Sequence, residues 1–290
     1  MGPGAGRRLM PIYEQSYRRY EARGGLRQVR FWPITREALR IVLAKRLFLV
    51  LLLASWLPLV VRMVQVYAVA RFPEAGRLLP VDGRLFGEFL NQQILFTVFL
   101  SVFGGAGLVA NDLRTGAILV YLSRPLTRRD YVLGKLGVLL SLNLSVTLVP
   151  GLLLYLVALA LVPGQFAEWK LLWIGPAIVL HAFVIALSVS LLVLAVSALS
   201  RSARVAGLGF VGLFIGLEIV RGVLVTMADR PEAHVLSLLN NLRMVGNLLF
   251  GIAARGAAVP AALPPIVLAL GALACLAVLR ARVRAVEIVK

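Results

Sequence analysis

The chain has 290 residues, 60% of them hydrophobic and 15% charged, with a mean hydropathy of +0.89; an ordinary soluble domain carries about 45 to 50% apolar and about 25% charged residues. That excludes a soluble globular protein and predicts an all-α, multi-pass integral membrane protein. The net charge of +18 would suggest nucleic acid in a soluble chain, but in a membrane chain it reports topology, so the lipid bilayer and not nucleic acid is the expected partner.

In chain order, residues 1–46 form a basic tail that includes Arg7, Arg8, Arg18, Arg19, Arg23, Arg27 and Arg30, with no apolar stretch long enough for a cleaved signal peptide. Within it, Trp32-Pro33-Ile34-Thr35 reads as a helix start with Thr35 as N-cap. The apolar residues that follow, from Ala38 to Leu43, lie among Arg36, Arg40, Lys45 and Arg46. This suits an N-terminal amphipathic helix on the inner membrane surface; an extension of the first span fits equally well.

Six runs then meet the requirement of about 20 apolar residues for a spanning helix: Leu47 to about Ala70, Phe89 to Ala110, Tyr131 to Val162, Leu171 to Leu199, Val205 to Ala228 and Ala261 to Leu279. The predicted boundaries are a tail at 1–46, a six-span domain at 47–279 and a C-terminal tail at 280–290. Between spans 5 and 6, the stretch from Asp229 to Pro260 is apolar but interrupted by Asn240, Asn241, Arg243 and Asn247. A re-entrant or surface-lying helical segment is expected there, because irregular backbone at membrane depth survives only under protein cover.

Lys and Arg are retained on the cytoplasmic side, and the sorting fits both termini inside. The outer side then holds Arg71, Arg77, Arg84, Lys170, Arg230, Arg243 and Arg255, and Arg62 and Arg221 lie within spans. The other 22 of 31 basic residues fall inside.

The inner connection between spans 2 and 3, Gly104 to Leu140, carries the most information. Leu113 to Val120 is expected to form a short helix with Asp112 near its positive end, stopped at Ser123-Arg124-Pro125 because proline disfavours helix in the residue before it. The product is an inward-facing knob, apolar at Ile118, Leu119, Val120 and Leu122 and basic at its rim, that a peripheral partner could grip. From charge alone, a positive loop that merely fixes topology is the stronger reading.

The ordered set Asp112, Arg114, Gly116, Tyr121, Ser123, Arg124, Pro125, Leu126, Arg128, Tyr131, Gly134 and Lys135 resembles the permease subunits of ABC-2 type transporters. The likeness extends more loosely over the whole chain. It implies a coupling helix docked on a separate ATP-binding subunit, with Asp112, Arg114, Gly116, Ile118, Leu119, Tyr121, Leu122, Arg124 and Arg128 at the contact. It also implies a second permease subunit, identical or related, and residence in a prokaryotic inner membrane. ATP and Mg would be held by the partner, with no cofactor bound by this chain.

No phosphate-cradling G-x-x-x-x-G-K-[ST] sequence occurs: Gly134-Lys135 is followed by Leu136 and preceded at 129 by Arg. The chain is therefore not expected to be an enzyme. Gly207, Gly209 and Gly212 spell G-x-G-x-x-G inside span 5, where a dinucleotide fold has no context; Gly212 and Gly216 are instead spaced for close helix packing. His181 and His234 read as polar groups satisfied by neighbouring helices or interface water, and Cys275 as a small apolar residue. Glu218 and Arg221, three apart in span 5, read chiefly as a self-neutralised pair, and together with Gln92 and Gln93 they are the candidates for a polar translocation path. Arg62 is expected to reach outward toward the interface. The function expected is ATP-driven export of an apolar or amphipathic cargo by alternating access; the alternative is a non-transporting scaffold or signalling subunit that anchors an ATPase.

Overall fold

The structure, a computed structural model, describes residues 32–72, 74–117, 127–162, 172–252 and 259–283, and among these it holds helices and no strand. In chain order the helices are α1 (Trp32–Leu43), α2 (Arg46–Ala54), α3 (Leu57–Arg71), α4 (Ala75–Leu78), α5 (Gly83–Gly105), α6 (Gly107–Thr115), α7 (Arg128–Leu161), α8 (Ile174–Leu199), α9 (Ala203–Thr226), α10 (Leu238–Leu249) and α11 (Leu263–Arg282). A 3₁₀ turn, Pro231–Leu236, precedes α10.

Six of these segments are long and apolar enough to cross a membrane: Arg46–Arg71, Gly83–Thr115, Arg128–Leu161, Ile174–Leu199, Ala203–Thr226 and Leu263–Arg282. They match the six runs read from the sequence. Spans 2 and 4 are the centre of the bundle, each 61% buried over its most apolar stretch, whereas span 5 is 6% buried there. The core joins them through Phe86, Phe89, Leu90, Ile94, Ile178, Ile185 and Val189. A polar cluster in the interior ties three helices together: Asn143 of α7 donates to Ser101 of α5 at 2.9 Å and to Ser190 of α8 at 3.0 Å. Interhelical bonds of this kind in membranes are worth about 0.6 kcal/mol on average, so they set register more than stability.

Several boundaries differ from the sequence reading, each for a local reason. α1 begins at Trp32 with Pro33 in its first turn, where a missing N–H costs nothing, so Thr35 lies inside the helix. Its hydroxyl is not an N-cap but donates to the Gly134 carbonyl of α7 at 2.9 Å. α1 is separated from span 1 at Ala44 and Lys45, so it is not an extension of that span. Span 1 is itself broken at Ser55-Trp56, with Pro58 opening α3. Span 2 starts at Gly83 and not at Phe89, because the Asp82 carboxylate caps the helix by accepting from the Arg84 and Leu85 amides. The connection between spans 5 and 6 forms the 3₁₀ turn and α10 over its described part. Residues 118–126 and the two chain ends, on which other expectations fall, lie outside the described residues.

Candidate functional site

The two arms of the connection between spans 2 and 3 are each ended deliberately. α6 stops at Gly116, which adopts φ +69° in the left-handed region, the usual glycine stop for a helix. α7 opens with a capping box: the Asp130 amide donates to Thr127 Oγ1 at 3.2 Å, and Asp130 Oδ2 accepts from the Thr127 amide at 2.9 Å. Asp112 therefore sits in the last turns of α6, not at the positive end of a helix starting at Leu113. The span 2 helix simply continues past its joint at Ala106.

A carboxylate near the C-terminal end of a helix faces the negative end of the dipole, and the structure supplies compensation from α7. Lys135 Nζ lies 2.7 Å from Asp112 Oδ2, and the Tyr131 hydroxyl donates to the same oxygen at 2.8 Å. The ammonium also sits 5.5 Å from the Tyr131 ring centroid, within cation–π range. Tyr131 is 1% exposed and Lys135 5%, which makes these charge-assisted bonds short of water and strong. Three residues of the ordered motif thus converge from both arms and close the base of the 116–127 connection. Arg114 and Arg128 stand exposed on either side. Ile118, Leu119, Tyr121, Leu122 and Arg124 lie outside the described residues.

At the other end of the bundle, Glu218 and Arg221 do pair, with Arg221 Nε donating to Glu218 Oε1 at 3.0 Å. Both have further partners: Ser237 Oγ donates to Glu218 Oε2, and Arg221 Nη1 lies 3.4 Å from His234 Nδ1. Asn240 Nδ2 donates to the His234 carbonyl at 2.9 Å. The pair thus fastens the 3₁₀ turn and the start of α10 to α9. His181, buried in α8, bonds the Leu242 carbonyl of α10 through Nε2 at 3.0 Å. α10 comes this close because Gly246 lies against the imidazole, where any Cβ would fall on the ring.

Gln93 is fully buried and donates to the Ser55 carbonyl at 3.0 Å, filling the break in span 1, while Gln92 is exposed. Both lie more than a turn inside span 2 because that helix starts early. Gln93 thus bonds the break in span 1 through Nε2, its buried Oε1 having no partner among the described residues, and Glu218 and Arg221 hold the 3₁₀ turn. Arg62 pairs with Glu88 at 3.3 Å. An added Cβ at Gly212 or Gly216 would meet nothing within 4 Å, so neither glycine packs against another described helix of this chain. Among the described residues no group of His, Cys, Asp and Glu could hold a metal ion.

Sequence reasoning missed the Thr127–Asp130 capping box, although its T-x-x-D spacing was there to be read. It also missed the Asn143 cluster, for which no spacing rule exists. In the comparisons with known proteins, the family model described as ABC-2 family transporter protein matches residues 91–281. No curated protein matches the chain.

Proposed function

The chain belongs to the ABC-2 family of transporter proteins, and from that premise we propose that it is the permease subunit of an ATP-driven exporter whose cytoplasmic ATPase docks on residues 112–128. The observation that carries this reading is the Asp112–Tyr131–Lys135 cluster. A loop that only fixed topology would need positive charge and nothing more. This one has its base clamped by a buried ion pair and a tyrosine, so a force applied to the loop reaches spans 2 and 3 together.

In the proposed cycle, two permease subunits face each other with their basic loops in the cytoplasm, and ATP-driven closure of two ATPase subunits alternates the exposure of a cleft between them. The apolar spans favour a hydrophobic or amphipathic cargo. The open strip at Gly212 and Gly216, where an added Cβ meets no atom of the described residues within 4 Å, supports a second subunit against span 5. The test is co-expression with a candidate ATPase subunit that carries Walker motifs. The two should co-purify, and ATP hydrolysis should disappear when the Walker lysine of that partner is replaced. Co-purification with no such protein, in a membrane where the chain accumulates normally, would remove the reading.

A further inference from the structure

Span 2 is jointed at Ala106, nearly two turns before Asp112. α5 ends at Gly105, α6 begins at Gly107, and the hydroxyl of Ser197 in α8 enters the break. Ser197 Oγ donates to the Ala106 carbonyl at 2.7 Å and accepts from the Val109 and Ala110 amides at 3.2 and 3.0 Å. The Ala110 amide and Ala106 carbonyl are four residues apart, the pair that an uninterrupted α-helix bonds directly. A side chain inserted into that ladder is a recognised cause of a kink. Here the side chain comes from another span, and it is fully buried.

The surroundings suit movement about this point. Ala106, Ala110 and Ala206 pack as a small cluster, so α6 approaches α9 here through alanine methyl groups. At its far end α6 carries Asp112, held by Lys135 of α7. It is thus a rigid arm fixed at two points, to span 3 near the loop and to span 4 at the joint.

We infer that Ser197 is the pin of a hinge in span 2, a positioning residue through which displacement of the 116–127 loop is delivered to span 4, so that α6 and the adjoining end of α8 move as one body about Ala106. The inference rests on the coupling role proposed for that loop. Ser197 is not a substrate contact. Its work is to bridge a backbone bond that would otherwise close span 2 into one stiff rod.

The test uses the full chain with Cys275→Ser and paired nitroxide labels, in lipid nanodiscs with its ATPase. One pair is Asn111→Cys with Arg201→Cys, reporting α6 against the end of α8; the other is Asn111→Cys with Leu95→Cys, reporting α6 against α5. All three positions are exposed. The 111–201 distance should be single and narrow, and unchanged between nucleotide-free and ATP-vanadate states, whereas the 111–95 distance should shift. In Ser197→Ala the 111–201 distance should shift or broaden. Ser197→Thr, which keeps the hydroxyl, should restore it, and Ser200→Ala should change nothing, because the Ser200 hydroxyl bonds the Val196 carbonyl of its own helix.

An unaltered 111–201 distance in Ser197→Ala would overturn the inference. So would a wild-type 111–201 distance that moves with nucleotide as much as 111–95, a measurement that decides the matter even if the alanine variant fails to accumulate. Failure of the ATPase to bind would sink the coupling role instead, and the nucleotide-free comparison of wild type with Ser197→Ala would still judge the pin.

Discussion

Replacing Asp112 with alanine separates a clamped loop from a merely positive one. The substitution removes the carboxylate 2.7 Å from Lys135 Nζ and the acceptor of the Tyr131 hydroxyl, and so breaks an ion pair whose lysine side chain is 6% exposed. Breaking a buried pair from one side costs about 3 to 5 kcal/mol. Asp112 retains 17% side-chain exposure, so the lower end, about 3 kcal/mol, is the appropriate figure. At 1.4 kcal/mol per factor of ten, that is a loss of about a hundred-fold in the population of the closed loop base. If the ATPase binds only the closed base, its Kd for the full chain in nanodiscs should rise by up to that factor. Lys135→Met should act alike, and the double variant should be no worse than either single one, because the two residues act as one unit. A single variant that binds the ATPase as wild type, or a double variant whose losses add, would refute the clamp.

Three other outcomes follow from the geometry. Gly246→Ala places a methyl on the His181 imidazole and should destabilise the seating of α10 by about 1 to 3 kcal/mol, read as a lower Tm in detergent; an unchanged Tm would mean that α10 is not held there. Gly212→Leu should lower the assembled mass of the complex in native mass spectrometry without lowering membrane insertion, since an added Cβ there meets no atom of the described residues within 4 Å; a fully assembled, active complex would remove span 5 from the interface. Reporter fusions at Arg77 and Arg243 should both report the outer side, and a cytoplasmic signal from both would reverse the topology.

The spans were legible because the bilayer imposes one requirement, about 20 apolar residues in a row, that a linear sequence displays directly. Their ends were not, because ends depend on caps. Asp82 starts span 2 earlier than hydropathy suggests, and Gly116 ends it later. The motif residues Asp112, Tyr131 and Lys135 were picked out by their order, yet their convergence on one carboxylate oxygen appears only when α6 and α7 lie side by side. Gln93 read as a candidate for a polar path, and Arg221 chiefly as the partner of Glu218. Their partners, the Ser55 carbonyl and the turn carrying His234, belong to irregular backbone that periodicity does not describe. Ser197 was invisible for a stronger reason: a serine in an apolar helix carries no sign that its hydroxyl will enter the hydrogen-bond ladder of another.

The central claim is that the loop between spans 2 and 3 is where an ATPase grips this permease. It is tested most directly by placing a photoreactive amino acid at Ile118 of the full chain, irradiating intact cells, and identifying the adduct by mass spectrometry. The expected result is one dominant cross-link, to an ATPase subunit that carries Walker motifs, lost in Asp112→Ala. Efficient cross-linking from Ile118 to lipid or to this chain alone, while that protein still binds the permease through another surface, would contradict it.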